Sequence, residues 1–506
     1  MIQSLGSLMT WVISLEHLHL FLFLVFLVSI LVSEKTPESM MAWIFTITVF
    51  PFGGIVLYLL FGVNWRKRRV ISSQETVKDK KKSRNFLEYD TSQAFHSEKL
   101  KAGNPSEILE KSGIENKERK ISEMLYKTEG TYLTANSSYE FFYDGKEAFD
   151  SIISDIRKAK KSIYMEYFIW RSDELGEKIK DELLKKAKEG LKIKLLFDGM
   201  GSLGTISGKY KKELEDAGVE FKYFLDVKFS LSKMNYRNHR KMTIIDNRIL
   251  HSGGMNLGIE YITGGERFES WRDSNFRVEG ELTVHYLAIF ITDWLNSKGK
   301  MDFDMEDIDK TIKENEKNRD NISGSYLMQV SSSGPDTVWT SLKNLYSQMI
   351  TSADEEVLIQ SPYFVPDMSL ISQMKIAALS GVKIKLMIAG VPDQKTPYWI
   401  AETHFRELLS AGLEIYRYNA GFIHCKNIIT DGKISTMGTC NFDMRSFEIN
   451  YEVNTVFYNE EISQNMRRQF YEDIEKCETV TLENIQKSGF LGKLRNSALK
   501  VLSPIM

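Results

Sequence analysis

A chain that carries the same short stretch in each of its halves is best read as two similar lobes. The first copy runs Asn238-His239-Arg240-Lys241-Met242-Thr243-Ile244-Ile245-Asp246 and is followed by Gly253-Gly254-Met255-Asn256. The second runs Ile423-His424-Cys425-Lys426-Asn427-Ile428-Ile429-Thr430-Asp431 and is followed by Gly438-Thr439-Cys440-Asn441. Counted from each His, Lys stands at +2, Asp at +7, Gly at +14 and Asn at +17 in both copies. So many coincident positions point to two halves of one site.

Each copy reads as a strand from His to the paired Ile residues, then a tight turn at Asp246-Asn247 or Asp431-Gly432. Residues two apart on a strand share a face, so His239 points with Lys241 and His424 with Lys426. The return strand ends at Gly253-Gly254 or Gly438-Thr439, where a glycine lets backbone approach a ligand. Asn256, Thr439 and Asn441 follow as candidate phosphate binders. Two imidazoles, two ammonium groups and amide donors suit a phosphodiester. Lysines and amides hold its oxygens as charge develops. One neutral His can attack phosphorus, and the other can give a proton to the leaving alkoxide. The pattern leaves open which His does which. The Asp pair reads mostly as turn chemistry. Each His should have a carboxylate behind it. Glu452 is the candidate in the second lobe. Aligning Trp271-Arg272-Asp273-Ser274-Asn275 with Asn450-Tyr451-Glu452-Val453-Asn454 makes Asp273 its counterpart, with six extra residues near Gly264-Gly265. Glu448 is a rival.

The rest of the chain repeats too. Gly190-Leu191-Lys192-Ile193-Lys194-Leu195 aligns with Gly381-Val382-Lys383-Ile384-Lys385-Leu386, and Ala217-Gly218-Val219-Glu220 with Ala411-Gly412-Leu413-Glu414. Strand-like runs over Ser162–Trp170, Leu191–Phe197 and Val219–Phe224 alternate with helix-like ones over Asp173–Glu189 and Tyr210–Asp216. The second lobe repeats the order with strands Val357–Ser361, Val382–Ile388 and Leu413–Tyr418 and helices Met368–Leu379 and Trp399–Leu409. This predicts an α/β fold of two related lobes with a largely parallel central part. The expected lobes are residues 121–300 and 326–485, joined over the surface by residues 301–325.

Residues 1–63 are apolar: Leu18–Val32 is one run and Met40–Val63 another, with Ser33–Ser39 between them. Two transmembrane helices in a hairpin are expected; a signal peptide or an interfacial helix are the other readings of the first run. Arg66-Lys67-Arg68-Arg69 and further lysines follow, so the lobes should be cytoplasmic, at the membrane of a bacterial cell. Residues 64–120 form a basic juxtamembrane segment and linker, and residues 486–506 a tail in which Phe490, Leu494, Ala498 and Leu502 recur at helical spacing. That tail fits a membrane surface or docking onto the protein. The chain holds 66 Lys and Arg against 68 Asp and Glu, which argues against binding to nucleic acid by charge alone. Cys425 and Cys440 lie within the second copy, but the first has Arg240 and Met255 there, so no thiol is needed. No metal-ligand spacing appears, and none is required where lysines neutralise the phosphate.

The paired H-x-K-x4-D stretches with their trailing G-[G/T]-x-N resemble the phospholipase D superfamily over about residues 120–480. The apolar hairpin, the basic stop, the run Asn441-Phe442-Asp443-Met444-Arg445-Ser446 and the tail Leu502-Ser503-Pro504 resemble bacterial cardiolipin synthases. The resemblance implies a pseudo-twofold pair of lobes with the site at their junction. It also implies that two phosphatidylglycerol molecules become cardiolipin and glycerol, without a cofactor, through a phosphatidyl-histidine. By the motif match, His239, Lys241, Asp246, His424, Lys426 and Asp431 carry over as catalytic residues. The family's usual small hydroxyl residue is replaced by Gly254 in the first copy. A membrane phospholipase D that hydrolyses the lipid, or a phosphodiesterase or nuclease of the superfamily, would use the same motif.

Overall fold

The computed structural model describes residues 17–18, 20–33, 35, 37–63, 114, 116–225, 235–319, 325–486 and 499. The basic run from Arg66 to Arg84 lies outside the described residues, as do nearly all of the expected linker and of the amphipathic tail.

The first lobe supplies β1 (Thr134–Phe142), β2 (Ser162–Tyr167), β3 (Lys192–Asp198), β4 (Glu220–Phe224), β5 (Met242–Ile245), β6 (Ile249–Gly253), β7 (Trp271–Arg272) and β8 (Asn275–Gly280). The second supplies β9 (Tyr326–Ser333), β10 (Glu356–Gln360), β11 (Phe364–Val365), β12 (Lys383–Ala389), β13 (Glu414–Tyr418) and β14 (Phe422–Ile423). It continues with β15 (Asn427–Thr430), β16 (Ile434–Gly438), β17 (Phe442–Asp443), β18 (Glu452–Phe457) and β19 (Cys477–Thr479). One 15-stranded sheet runs β19-β13-β12-β10-β15-β16-β18-β9-β1-β8-β6-β5-β2-β3-β4. Outward from the β9–β1 contact the halves match strand for strand: β18 with β8, β16 with β6, β15 with β5, β10 with β2, β12 with β3 and β13 with β4. The two lobes are one continuous sheet with a pseudo-twofold at its middle.

The parallel part is not central, as the sequence pattern suggested. β2-β3-β4 and β10-β12-β13 are parallel flanks, where helices such as Glu174–Lys188 and Met368–Leu379 cross between strands. Every pairing between β10 and β2 is antiparallel. The reason is local. Asp246 and Asn247 both take positive φ, 52° and 58°, as do Asp431 and Gly432 at 54° and 63°. That is the two-residue hairpin geometry that turns a strand straight back on itself.

The helix Leu282–Asn296 is apolar almost all round, and its Tyr286, Leu287, Phe290 and Trp294 join a core drawn from both lobes. The segment expected as a surface connection holds the helix Met305–Arg319. It buries Phe303, Ile308 and Ile312 against that core, two of them at i, i+4 spacing beneath a charged outer face. The helix Asn116–Glu129 likewise starts inside the expected linker and buries Ile121 and Leu125.

The apolar N-terminus is helical over residues 20–31, Pro37–Val49 and Pro51–Leu57, ending in a π-helical turn, Tyr58–Gly62. The second apolar run does not continue as one helix. It reverses at Phe50, so that Trp43 meets Tyr58 with ring centroids 5.3 Å apart, and Phe26 of the first run closes on Tyr58 at 5.9 Å. Pro51 starts the return, and Gly54 lets it pack: a Cβ there would lie 2.6 Å from the Thr46 carbonyl oxygen. Among the described residues no helix is long and apolar enough to cross a membrane.

Candidate active site

The two histidines line one cavity of about 500 Å³ at the lobe junction. Their approach is set by short parallel pairings between lobes. β14 pairs with β7, matching Ile423 to Arg272, so the next residues, His424 and Asp273, emerge side by side. A single parallel bridge from Asn238 to Tyr451 does the same for His239 and Glu452. His239 Nδ1 lies 2.9 Å from Glu452 Oε2 and His424 Nδ1 2.8 Å from Asp273 Oδ2. Each orienting carboxylate therefore comes from the opposite lobe, whereas the sequence alignment grouped each with the histidine of its own lobe. An ionised carboxylate only accepts, so Nδ1 carries the hydrogen in each ring and the Nε2 lone pair is left for the cavity. Glu448, the rival, is not the partner of either ring.

Both lysines are buried. Lys241 Nζ donates to the His239 carbonyl at 2.6 Å, and Lys426 Nζ donates to that of His424. Burial pushes the Lys241 ammonium down to about 7, with Lys426 adding repulsion and Glu452 opposing it. Burial also lowers Lys426 and His239, and burial together with Lys426 lowers His424 to about 3. Glu452 is held below the usual carboxylate range, since His239 and Lys241 outweigh its own burial. Lys241 and Lys426 each lower the other groups' affinity for a proton across the junction. A phosphate oxygen between them would relieve that repulsion.

The halves are not equivalent. Thr439 Oγ1 donates to Glu452 Oε2 at 2.6 Å, while at Gly254 a Cβ would lie 2.1 Å from Asp273 Oδ1. Asn256 is committed, accepting from Ile169 N at 3.1 Å and donating to Tyr261 Oη at 2.5 Å. Asn441 lines the cavity with its buried Oδ1 unpartnered. Asp246 and Asp431 lie at the far ends of β5 and β15 from the histidines. Asp246 accepts from the N–H groups of Lys160, Lys161 and Ser162, and Asp431 from those of Asp354, Glu355 and Glu356. Their carboxylates pin the hairpin to the neighbouring strand and touch neither His239 nor His424. Cys425 is buried and its thiol is pushed up to about 12.

Pattern reasoning missed the cavity's wall. Phe168, Tyr261, Trp271 and Tyr363 line it, and so do Arg237 and Arg445. The aromatic residues come from different settings, Phe168 just after β2, Tyr261 in the short helix Glu260–Thr263, Trp271 in β7 and Tyr363 between β10 and β11, and share no spacing signal. Arg237 stands two residues before His239 and had a signal in its charge alone.

The family model described as "Cardiolipin synthase, PLD-like domain" matches residues 152–294 and 346–474, and one described as "Phospholipase_D-nuclease N-terminal" matches residues 21–62. A curated cardiolipin synthase of Clostridium perfringens is 36% identical over 478 residues, covering 94% of this chain and 96% of that one. One from Oceanobacillus iheyensis is also 36% identical, over 94% of this chain and 95% of its own. Among solved structures, the phosphatidylserine synthase of Haemophilus influenzae Rd KW20 superposes with a TM-score of 0.56 at 17% identity, covering 77% of this chain and 100% of that one, a likeness of fold. With one matching model spread over both lobes and relatives alike along nearly their whole length, the chain belongs to the cardiolipin synthase family of phospholipase D-like proteins.

Proposed function

We propose that this protein is a phosphatidyltransferase that joins two phosphatidylglycerol molecules into cardiolipin and glycerol. The observation that carries the reading is the pair of imidazoles lining one cavity, each fixed through Nδ1 by a carboxylate of the other lobe. One Nε2 attacks the donor phosphorus. The P–N bond forms as the P–O bond to glycerol breaks, and the second imidazole, protonated, gives its proton to the departing oxygen. A primary hydroxyl of the second phosphatidylglycerol then attacks. It hands its proton to that same imidazole, and the P–N bond breaks. Lys241 and Lys426, with Asn441, hold the non-bridging oxygens as charge builds. No step calls for a cofactor. Asp246 and Asp431 serve the site by holding its strands.

The reading includes residence at a bacterial membrane, lobes on the cytoplasmic side. Its support is the apolar N-terminal unit, which leaves Phe21, Val28, Met41, Phe45, Phe50 and Val56 more than half exposed. A bilayer confines enzyme and both lipids to one surface, favouring a lipid alcohol over water as acceptor.

The test is to incubate the purified protein with phosphatidylglycerol vesicles. Cardiolipin with glycerol is expected, and His239→Ala and His424→Ala should each lower it by about a thousandfold or more while vesicle binding persists. Phosphatidic acid without cardiolipin would make the protein a hydrolase. An active single-histidine variant would refute the shared site.

A further inference from the structure

The transferase reading needs two anionic lipids in one cavity, and the histidine and lysine set accounts for one phosphate. The same cavity is lined by further donors, Arg237, Arg445, Ser446 and Asn450. Arg237 is buried beside the first motif; Arg445 comes from the other lobe, on the short helix Met444–Glu448. Burial lowers the proton affinity of both guanidinium groups, and the charge of Arg445 lowers that of Arg237 further. Asp198 offsets Arg237 in part, but its own carboxylate is held by the N–H groups of Met200, Gly201 and Asn238. Arg445 is fixed from behind: Nη1 donates to Asn235 Oδ1 at 3.0 Å and Nη2 to the Asn235 carbonyl at 2.5 Å. A guanidinium has about five N–H donors, so Arg445 has others beyond the two that Asn235 takes; Arg237 Nη1 donates to the Tyr236 carbonyl at 2.6 Å. Asp443 also lines the cavity and offsets the burial of Arg445 in part; its carboxylate accepts from Ser446 N, and burial pushes it up to about 6.

We propose that Arg445 and Arg237 form a second anion subsite, which binds the phosphodiester of the acceptor lipid and turns its free hydroxyl toward the phosphorus held between His239 and His424. The subsite rests on the transferase reading and deepens it. Two phosphates bridged by one glycerol lie close together in the product, as two subsites sharing a cavity of about 500 Å³ require. An Arg fork matches two phosphate oxygens at once, and two cations from opposite lobes are brought together most readily around an anion.

The test separates acceptors. Exchange of labelled glycerol into phosphatidylglycerol passes through the same phosphatidyl-histidine, but its acceptor carries no phosphate. In Arg445→Ala, cardiolipin formation should fall about ten- to a hundredfold further than glycerol exchange, the range expected for losing charged hydrogen bonds. Arg445→Lys, which keeps the charge and loses the fork, should show a smaller split, and Arg237→Gln a split in the same direction. If Arg445→Ala does not fold, the Arg445→Lys split decides. Equal loss of both reactions, or loss of neither, in folded variants overturns the subsite. A wild-type protein that forms no cardiolipin and exchanges no glycerol overturns the transferase reading itself.

Discussion

Lys241 shows what burial does to a charged side chain. Its ammonium is 1% exposed and is pushed from 10.5 down to about 7. Between those values the folded chain holds fewer protons than the unfolded one, so stability must rise with pH across that window. Below about pH 7 both states keep the proton, and the cost of the buried charge is present in full. The melting temperature of the free protein should therefore climb from about pH 7 to about pH 9. Lys241→Met should remove much of that slope, and so should inorganic phosphate bound in the cavity, because an anion restores the ammonium's affinity for its proton. Parallel slopes in wild type and Lys241→Met would show that this ammonium is not desolvated as described. The same low affinity suits a site that gains protons as it gains phosphate.

At the scale of elements, the two half-sites look interchangeable in sequence and are not so in space. Thr439 supports Glu452, and its counterpart Gly254 has no room for a side chain, because Asp273 fills the place a Cβ would take. Copying the second half into the first, by Gly254→Thr, should push Asp273 off His424. The expected loss is about ten- to a hundredfold in cardiolipin formation with kcat more affected than KM, as for other misplaced orienting groups. The reverse change, Thr439→Gly, removes one hydroxyl bond and should cost less. Unchanged turnover in Gly254→Thr would mean that Asp273 does not orient the ring. The hairpin turns are legible in sequence because Asp-Asn and Asp-Gly turns act over a few residues, and the histidines and lysines because their spacing recurs; the expected strands from each His begin only after the lysines, at Met242 and Asn427, so strand alternation does not place His and Lys together. Asp273 and Glu452 were legible as a matched pair, but not which ring each serves. Chain order says nothing of a parallel bridge such as that between Asn238 and Tyr451, which sets His239 beside Glu452, or of the β14–β7 pairing, which sets His424 beside Asp273. The central strands β1, β8, β9 and β18 escaped notice for a related reason. Their partners lie far along the chain, with Glu140 on Arg277 and Thr455 on Val330, and long-range pairing leaves no local signature.

At the scale of the whole molecule, the apolar unit and the cavity rim are one structure. Asn235, which holds Arg445, also donates to the carbonyl of Phe61 at 3.1 Å, and Tyr236 Oη donates to that of Val63 at 3.3 Å. Lys35, at the other end of the same helical pair, is close enough to Glu448 for their charges to interact. One end of residues 37–62 therefore meets Asn235 and Tyr236, which adjoin the rim helix Met444–Glu448 through Arg445, and the other lies within charge range of Glu448, while Phe50 at the turn is exposed. Helices of this length reach about 20 Å, past one leaflet of hydrocarbon and short of two. Inserted in a bilayer, the pair would enter and leave on one face, with the rim at head-group level where a lipid phosphate sits. The measurement is side-specific labelling of single cysteines in a background lacking Cys425, Cys440 and Cys477. Lys35→Cys and Val63→Cys should react with an impermeant maleimide from the same, lobe-bearing side, and Phe50→Cys should be shielded from both. Labelling of positions 35 and 63 from opposite sides would mean that the second apolar run crosses as a single span, and the contacts of Asn235 and Tyr236 with its end would then have to be broken in the membrane. Phe50→Asp puts a charge at this exposed turn, which in a bilayer would cost about 2.5–3.5 kcal/mol, and should weaken vesicle binding while leaving the lobes folded.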